Sequence, residues 1–288
     1  MSVLEVIQRS AEFLAKKEVE SPRLQVELLL AYLLKMPRLK LYLNFERILT
    51  ESELNQLREL VKRRGNREPL QHLVGTTSFC GLELAVNDKV LIPRPETEIL
   101  AERAWKFLNE LSTLTAQPTT ALDFATGSGC LAIALATKCP TAQIHALDIS
   151  REALILAKEN AVRNHVEEKI QFYESDGFVE LPKEIKFKLI VANPPYISTA
   201  ETQTLEPEVR NYDPKIALDG GADGLDFYRK LAKEAQEFLL PQGRLMLEFG
   251  EGQAKEIVKI FDEKNWRIEA IENDYSKRER FLITHRSD

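Results

Sequence analysis

Histidine and cysteine are scarce in this chain, and neither is arranged for metal chemistry. Four histidines are dispersed among 288 residues with no ligand-type spacing, so no metal site is expected. Three cysteines, Cys80, Cys130 and Cys139, form no Cys-x-x-Cys pair and are odd in number. That pattern excludes a disulfide framework and suits buried or incidental thiols in a reducing compartment, here the cytoplasm. Long apolar runs are also missing. The stretch Leu28 to Leu34 falls far short of the ~20 residues that span a bilayer. The start, Met1-Ser2-Val3-Leu4-Glu5, has neither a basic region nor a signal-type core, and no repeats or low-complexity tracts occur. Basic charge is in deficit: 39 Lys+Arg face 45 Asp+Glu, a net charge of −6, which argues against a broad nucleic-acid-binding face. What remains is 44% hydrophobic and 29% charged, an ordinary globular composition long enough for one large or two moderate domains.

Charge and pattern divide the chain unevenly. Residues 1–75 carry 13 Lys+Arg and 10 Asp+Glu, net +3, leaving the remainder at 26 − 35 = −9. They read as a helical domain. Val3, Val6, Ile7, Phe13 and Leu14 have amphipathic spacing. Ser21-Pro22 has the form of an N-cap and first-turn proline opening a helix to about Lys35. Thr50-Glu51-Ser52-Glu53 matches a capping box, with the helix ending near Arg64-Gly65. Lys62-Arg63-Arg64 and Arg67 are the densest basic cluster; a solvated helix face and a partner-docking surface are equally open readings. Residues 76–93 read as a β-hairpin linker, built on Ser78 to Leu84. Residues 94–288 form a third segment, in which a helix from Pro95 to Leu111 and a polar linker from Ser112 to Thr119 precede alternating strands and helices. That alternation implies an α/β domain with a mainly parallel sheet.

The most informative stretch is Asn193-Pro194-Pro195-Tyr196, set directly after the apolar run Leu189-Ile190-Val191-Ala192. The run suits a buried parallel strand, and open α/β sheets bind ligands at their strands' carboxyl ends. The prolines force Asn193 and Pro194 into extended geometry and remove N–H donors, leaving a stiff turn rich in carbonyl acceptors. The Asn193 amide oxygen adds an acceptor, and Tyr196 adds a flat face. Such a turn suits a planar NH2 group.

Upstream, the strand Thr120 to Phe124 leads into Ala125-Thr126-Gly127-Ser128-Gly129 and a helical pattern from Cys130. The glycines permit a tight turn and close approach of backbone to a ligand. The next strand ends in Asp148, placed for a ribose diol. These features alone also fit a dinucleotide fingerprint, so an NAD-dependent enzyme competes at this point. Asp123 separates the readings: at the strand end it suits an ammonium group and would repel a pyrophosphate. After a third strand, Ser175-Asp176-Gly177-Phe178 suits an adenine amino group and ring. Ammonium, ribose and adenine without phosphate describe S-adenosylmethionine.

With Asn-Pro-Pro-Tyr on the fourth strand, the set resembles the Rossmann-like, S-adenosylmethionine-dependent amino-methyltransferases. Val90 to Glu98, containing Pro93-Arg94-Pro95-Glu96-Thr97-Glu98, and the later Glu208 to Pro214 and Ala217 to Leu225, are similar to the bacterial release-factor glutamine N5-methyltransferases, the PrmC/HemK family. The likeness covers nearly the whole chain. It implies a seven-stranded, mainly parallel sheet with an antiparallel edge hairpin near Trp266–Ile271 and Arg280–His285, plus a small N-terminal helical domain that recognises a protein substrate. It implies cofactor contacts at Asp123, Ala125, Thr126, Gly127, Ser128, Gly129, Asp148, Asp176, Gly177 and Asn193. Catalysis falls to Asn193, Pro194 and Tyr196, with Pro195 joining them in substrate binding. Arg94, Glu96 and Glu98 would help to shape the substrate pocket. Ala125 departs from a loop glycine common in methyltransferases, and its small methyl is expected to be tolerated. Gly177 stands where some relatives carry an aromatic residue, which leaves the adenine's stacking partner open between Phe178 and another residue.

The implied partner is a peptide chain release factor, methylated on the glutamine of its Gly-Gly-Gln loop, with neither a membrane nor a stable nucleic-acid partner. The alternatives are an exocyclic amine of DNA or RNA and a glutamine of another protein, such as a ribosomal protein. The net −9 of residues 76–288 disfavours nucleic acid. A non-catalytic cofactor-binding adaptor would show a degraded turn or lack the ribose acid, and this chain has both intact.

Overall fold

The computed structural model describes residues 1–114 and 118–287. The chain divides into two compact units, Met1–Thr76 with Glu206–Tyr212, and Thr77–Leu205 with Asp213–Asp288.

The first unit contains α1 (Val3–Ala15), α2 (Pro22–Leu33), α3 (Arg38–Tyr42), α4 (Glu51–Gly65) and α5 (Leu70–Val74). The expected capping box forms at Thr50: its hydroxyl accepts from the Glu53 N–H, and Glu53 accepts from the Thr50 N–H at 2.8 Å. Ser2 and Glu5 make a second box. Ser21 occupies the N-cap position of α2 but sits in the left-handed region without a side-chain cap bond, so Pro22 alone marks that start. Val3, Ile7, Leu14, Val26, Leu29, Leu30, Leu41 and Leu57 share one core, whereas Phe13 stays exposed. Glu27 is buried and accepts from Arg23 Nε (2.9 Å), Arg38 Nη1 (3.1 Å) and the Tyr42 hydroxyl (2.8 Å). Burial alone would raise its pKa; the hydrogen bonds and both guanidinium charges outweigh that and hold it below the ordinary value.

The basic cluster is largely engaged within this unit. Arg63 pairs with Glu68. Arg64 pairs with Glu208 at 2.9 Å, and Arg67 pairs with Glu206 and Glu208 at 3.2 and 2.7 Å. A later stretch, Glu206–Tyr212, thus joins the helical unit, which sequence reading assigned to residues 1–75 alone. Complementary charge is the physical reason: the two glutamates neutralise the guanidinium groups at the end of α4.

The second unit follows with β1 (Thr76–Phe79), β2 (Leu82–Ala85), α6 (Pro95–Leu114), β3 (Thr120–Phe124), α7 (Cys130–Lys138), β4 (Gln143–Asp148), α8 (Arg151–Arg163), β5 (Ile170–Glu174) and β6 (Phe187–Ala192). Past the helix Pro207–Tyr212 (α9), which belongs to the first unit, come α10 (Asp226–Glu234), β7 (Leu239–Glu248), α11 (Ala254–Asp262), β8 (Trp266–Asn273) and β9 (Glu279–Arg286). The seven-stranded sheet has the order β5-β4-β3-β6-β7-β9-β8. Strands β3 to β7 pair in parallel, and β9 is antiparallel to both β7 and β8, as the family likeness implies. Period-2 alternation divides each strand between two cores. Ala121, Leu189 and Val191 meet α6 and α7, while Leu122, Phe124, Ile190 and Ala192 share the opposite core with α10 and α11 residues.

Two expectations need correction. The hairpin β1–β2 is integral to the second unit and not a linker, because Phe79 and Leu84 are buried in the core that contains α6 and α7. Helix α6 runs to Leu114, so Ser112–Leu114 are helical, and residues 115–117 of the expected linker lie outside the described residues.

Candidate active site

Chain order reverses across β3, with β4 on one side and β6 on the other, and a cavity opens at the carboxyl ends of these three strands. This topological switch point is where doubly wound sheets bind ligands. Its wall includes Ala125, Thr126, Gly127, Ser128, Asp148, Asp176, Gly177, Asn193 and Pro195, all expected from the sequence.

The glycine loop is built from backbone constraints. Ala125, Gly127 and Gly129 all have positive φ, at 58°, 54° and 82°. A Cβ on Gly127 would meet nothing within 4 Å, leaving backbone bare toward the cavity. Gly129 is required for a different reason, since a Cβ there would press on Ala157 and Ile133 at 3.1 Å. It holds α7 against α8 and is not on the cavity wall. Ala125 is the strained position: a left-handed alanine costs about 1–2 kcal/mol. The expected tolerance of its methyl therefore carries a backbone cost that the sequence did not reveal.

Asp148 orders the loop. Its Oδ2 accepts from the Gly127 N–H at 2.8 Å, and its Oδ1 accepts from the Ser150 N–H at 2.9 Å. Burial raises its pKa, while the N–H groups of Ser150, Gly127 and Ile149 oppose the shift. Both oxygens retain lone pairs for a diol. Asp123 caps the loop from within the protein. It is fully buried, accepts from Thr126 Oγ1 at 2.5 Å and the Ala132 N–H at 3.0 Å, and is not on the cavity wall. Gly129, the N-cap of α7, has no side chain, so Asp123 supplies the missing acceptor from the end of β3. Burial pushes its pKa up to about 7, against the bonds from Thr126 and Ala132. Oδ2 thus caps the loop and the helix start, while Oδ1 is buried with no hydrogen-bond partner among the described residues.

The adenine side also differs. Asp176 lines the cavity, yet its exposed carboxylate is paired with Lys230. Phe178 is buried in the core, stacked on Phe238 with ring centroids 4.7 Å apart and tilted against Phe124. It cannot stack on a ligand. The apolar wall comes instead from Leu147, Ile149 and Phe227. Ile149, about half exposed directly after Asp148, is the residue that sequence reading missed; its signal was an apolar side chain following a strand-end acid.

At the end of β6, Asn193 Nδ2 donates to Thr97 Oγ1 at 3.0 Å, and Thr97 Oγ1 donates to the buried Glu248 carboxylate at 2.7 Å. Among the described residues, Asn193 Oδ1 and the Pro194 carbonyl have no hydrogen-bond donor. Pro195 reaches the cavity wall, whereas Pro194 is buried and Tyr196 packs into the core beside α10 and α11. Burial pushes the Tyr196 hydroxyl up to about 12, so it stays protonated. The turn is clamped from behind. Gln253 Nε2 donates to the Tyr196 carbonyl at 2.9 Å. A Cβ on Gly220 or Gly224 would meet the Pro195 or Tyr196 carbonyl at 2.7 or 2.3 Å, which explains the glycines of Asp219 to Gly224.

Arg94 and Asp213, from the two segments singled out earlier, meet through a 2.6 Å ion pair. Glu98 accepts from the Cys80 N–H and so fixes the hairpin without lining the cavity. Asn160 gave no sequence signal. Wholly buried on α8, it exchanges two hydrogen bonds with Ala85 and donates to the Ser128 carbonyl at 3.0 Å. It fastens the glycine loop to β2.

A Rossmann-like sheet with a glycine loop, a strand-end acid and an Asn-Pro-Pro-Tyr turn at its switch point defines a methyltransferase that uses S-adenosylmethionine. Residues 5–75 match the family described as PrmC N-terminal domain, and residues 105–208 match the methyltransferase small domain. The chain is 43% identical over 260 residues to a release factor glutamine methyltransferase of Geobacter sulfurreducens, covering 90% of this chain and 88% of that one. It is 41% identical to the protein of the same name from Leptospira interrogans, over 99% of this chain and 98% of its relative. The chain belongs to the release factor glutamine methyltransferase family. A methyltransferase structure from Pyrococcus furiosus shares the fold, with TM-score 0.52 and 20% identity over 77% of this chain and 97% of that one.

Proposed function

We propose that this enzyme methylates the side-chain amide nitrogen, N5, of the glutamine in the Gly-Gly-Gln loop of a peptide chain release factor, acting in the cytoplasm. One observation carries the reading: among the described residues, two acceptors of the turn after β6, Asn193 Oδ1 and the Pro194 carbonyl, have no hydrogen-bond donor. They match the two N–H bonds of a primary amide. The names of the relatives supply the substrate class.

An amide nitrogen is a poor nucleophile because its lone pair is delocalised; the ~18–20 kcal/mol rotation barrier of a related peptide bond measures that resonance. When bound, S-adenosylmethionine supplies a strongly electrophilic methyl group. The protein's task is then positioning. Asn193 and Pro194 hold both N–H bonds and so fix the plane of the nitrogen. Holding reacting atoms about 3–3.5 Å apart in good alignment lowers barriers by roughly 7–11 kcal/mol in favourable cases. Pro195 limits water access from the cavity side, and Tyr196 supports the turn from the core. No side chain need deprotonate the neutral amide; its proton leaves to solvent once methylation has made the nitrogen acidic. The bare backbone at Gly127 and the free lone pairs of Asp148 fit the loop and ribose contacts of the cofactor.

The first unit is proposed to recognise the protein substrate. Leu39, Leu43 and Ile48 stand largely exposed on it, while Arg64 and Arg67 of the basic cluster are already ion-paired. Apolar contact therefore supports this role better than free positive charge. Glycines beside the target glutamine would let an extended loop reach the turn without side-chain clashes. Mass spectrometry of release factor incubated with enzyme and S-adenosylmethionine should show one methyl increment on that glutamine. Methylation of adenine in DNA, or of a ribosomal protein, with none on release factor would overturn the assignment.

A further inference from the structure

We infer that Glu248, acting through Thr97, is the positioning residue that turns the Asn193 amide oxygen toward the substrate. The inference rests on the proposed role of Asn193 and adds what sets its orientation. An asparagine amide has two faces of similar shape and opposite hydrogen-bonding character. Rotated by half a turn, Asn193 would present NH2 to the substrate's own NH2, and donor would face donor.

The choice is made behind the site. Glu248 closes β7 and is 1% exposed, with its Oε2 2.7 Å from Thr97 Oγ1. Thr97, also 1% exposed, lies on α6 and is 3.0 Å from Asn193 Nδ2. A hydroxyl has one proton. A carboxylate can only accept, so it claims that proton and leaves the Thr97 oxygen as an acceptor. The amide must then offer its nitrogen to Thr97 and its oxygen to the cavity. Direction passes through three side chains because each buried donor needs an acceptor.

Protonation of Glu248 would reverse the sequence. Its new O–H would donate to Thr97, the Thr97 proton would turn to the amide, and the amide oxygen would swing away from the substrate. The surroundings place this event within working range. Burial pushes the Glu248 pKa up to about 7, opposed by the Thr97 bond and by Arg280 and Arg94, and aided by Glu96. Tyr196 and Tyr228 also face the carboxylate, both with pKa values raised by burial, so neither ionises in that range. Tyr228 donates to the Glu248 backbone carbonyl at 2.8 Å and leaves the carboxylate to Thr97. The ionised carboxylate gives the productive orientation, so turnover should fall as pH drops through about 7.

The test uses the full-length enzyme with release factor and S-adenosylmethionine. Thr97→Val keeps the shape and removes the hydroxyl. It should lower kcat roughly 100-fold, the scale of a small misplacement of reacting groups, while cofactor Kd stays within about twofold because Thr97 makes no bond to the glycine loop or Asp148. Thr97→Ser should recover most of the activity. In Glu248→Gln the acid limb of the kcat profile should vanish. A merely structural role would lower thermal stability and leave that limb in place. The side-chain NH2 resonances of Asn193, identified by their loss in Asn193→Asp, should shift with Glu248 titration and stop doing so in Thr97→Val. That readout needs no substrate, so failure of wild-type methyl transfer to release factor would count against the proposed function and leave the orientation measurable. A folded Thr97→Val enzyme with wild-type kcat would overturn the inference, as would Asn193 resonances unmoved across the titration.

Discussion

Replacing Asn160 by alanine should loosen the cofactor loop from a position that touches no ligand. Its side chain accepts from the Ala85 N–H at 2.7 Å and donates to the Ala85 and Ser128 carbonyls, each at 3.0 Å. Alanine removes all three bonds at a fully buried site. At about 1 kcal/mol net per bond the loss is ~3 kcal/mol, and a stranded Ala85 N–H adds to it because an unpaired buried donor costs about 1–3 kcal/mol. We expect about 4–6 kcal/mol, with the transition of the larger unit lowered by roughly 8–24 °C at 2–4 °C per kcal/mol. Scanning calorimetry would read the shift, and titration calorimetry would read a weaker cofactor Kd, because Ser128 belongs to the loop that lines the cavity. Asn160→Asp supplies the control. It keeps the acceptor for Ala85 but sets a charge against two carbonyls, so it should be worse than alanine at neutral pH. A transition within about 2 °C of wild type together with unchanged cofactor affinity would refute the account.

Asp148→Ala should weaken S-adenosylmethionine binding by about 1.5–3 kcal/mol, the scale of hydrogen bonds to a charged group, and calorimetry would measure it. Asn193→Ala should retain the fold and most cofactor affinity while losing turnover; near-normal kcat in that variant would contradict the positioning role. Stability of the helical unit should fall in acid partly through Glu27. Its folded pKa is held below the ordinary value, so its contribution is present above the unfolded pKa and lost as pH falls through the folded one. Chemical denaturation of Glu27→Gln from pH 7 to pH 3 should show a shallower decline than wild type.

The chemistry of this enzyme was legible in its sequence wherever function depends on local backbone rules. Two prolines after an apolar run stiffen the turn whatever surrounds it, and Thr50 with Glu53 closes a cap within four residues. Alternation of strand and helix fixed a mainly parallel sheet, and the switch point then placed the glycine loop, Asp148 and Asn193 together. Tertiary structure decided which carboxylates and rings face the cavity. Asp123 reads as a ligand contact because it sits at a strand end, and Phe178 because it lies in the loop that follows one. Packing set one oxygen of Asp123 at the uncapped start of α7 and placed Phe178 between Phe124 and Phe238. The partners of Arg64 and Asn193 were equally hidden, at Glu208 and Thr97, 144 and 96 residues away. A hydrogen bond between distant residues leaves no periodicity in the chain; its partners become known only once the fold has brought them within 3 Å.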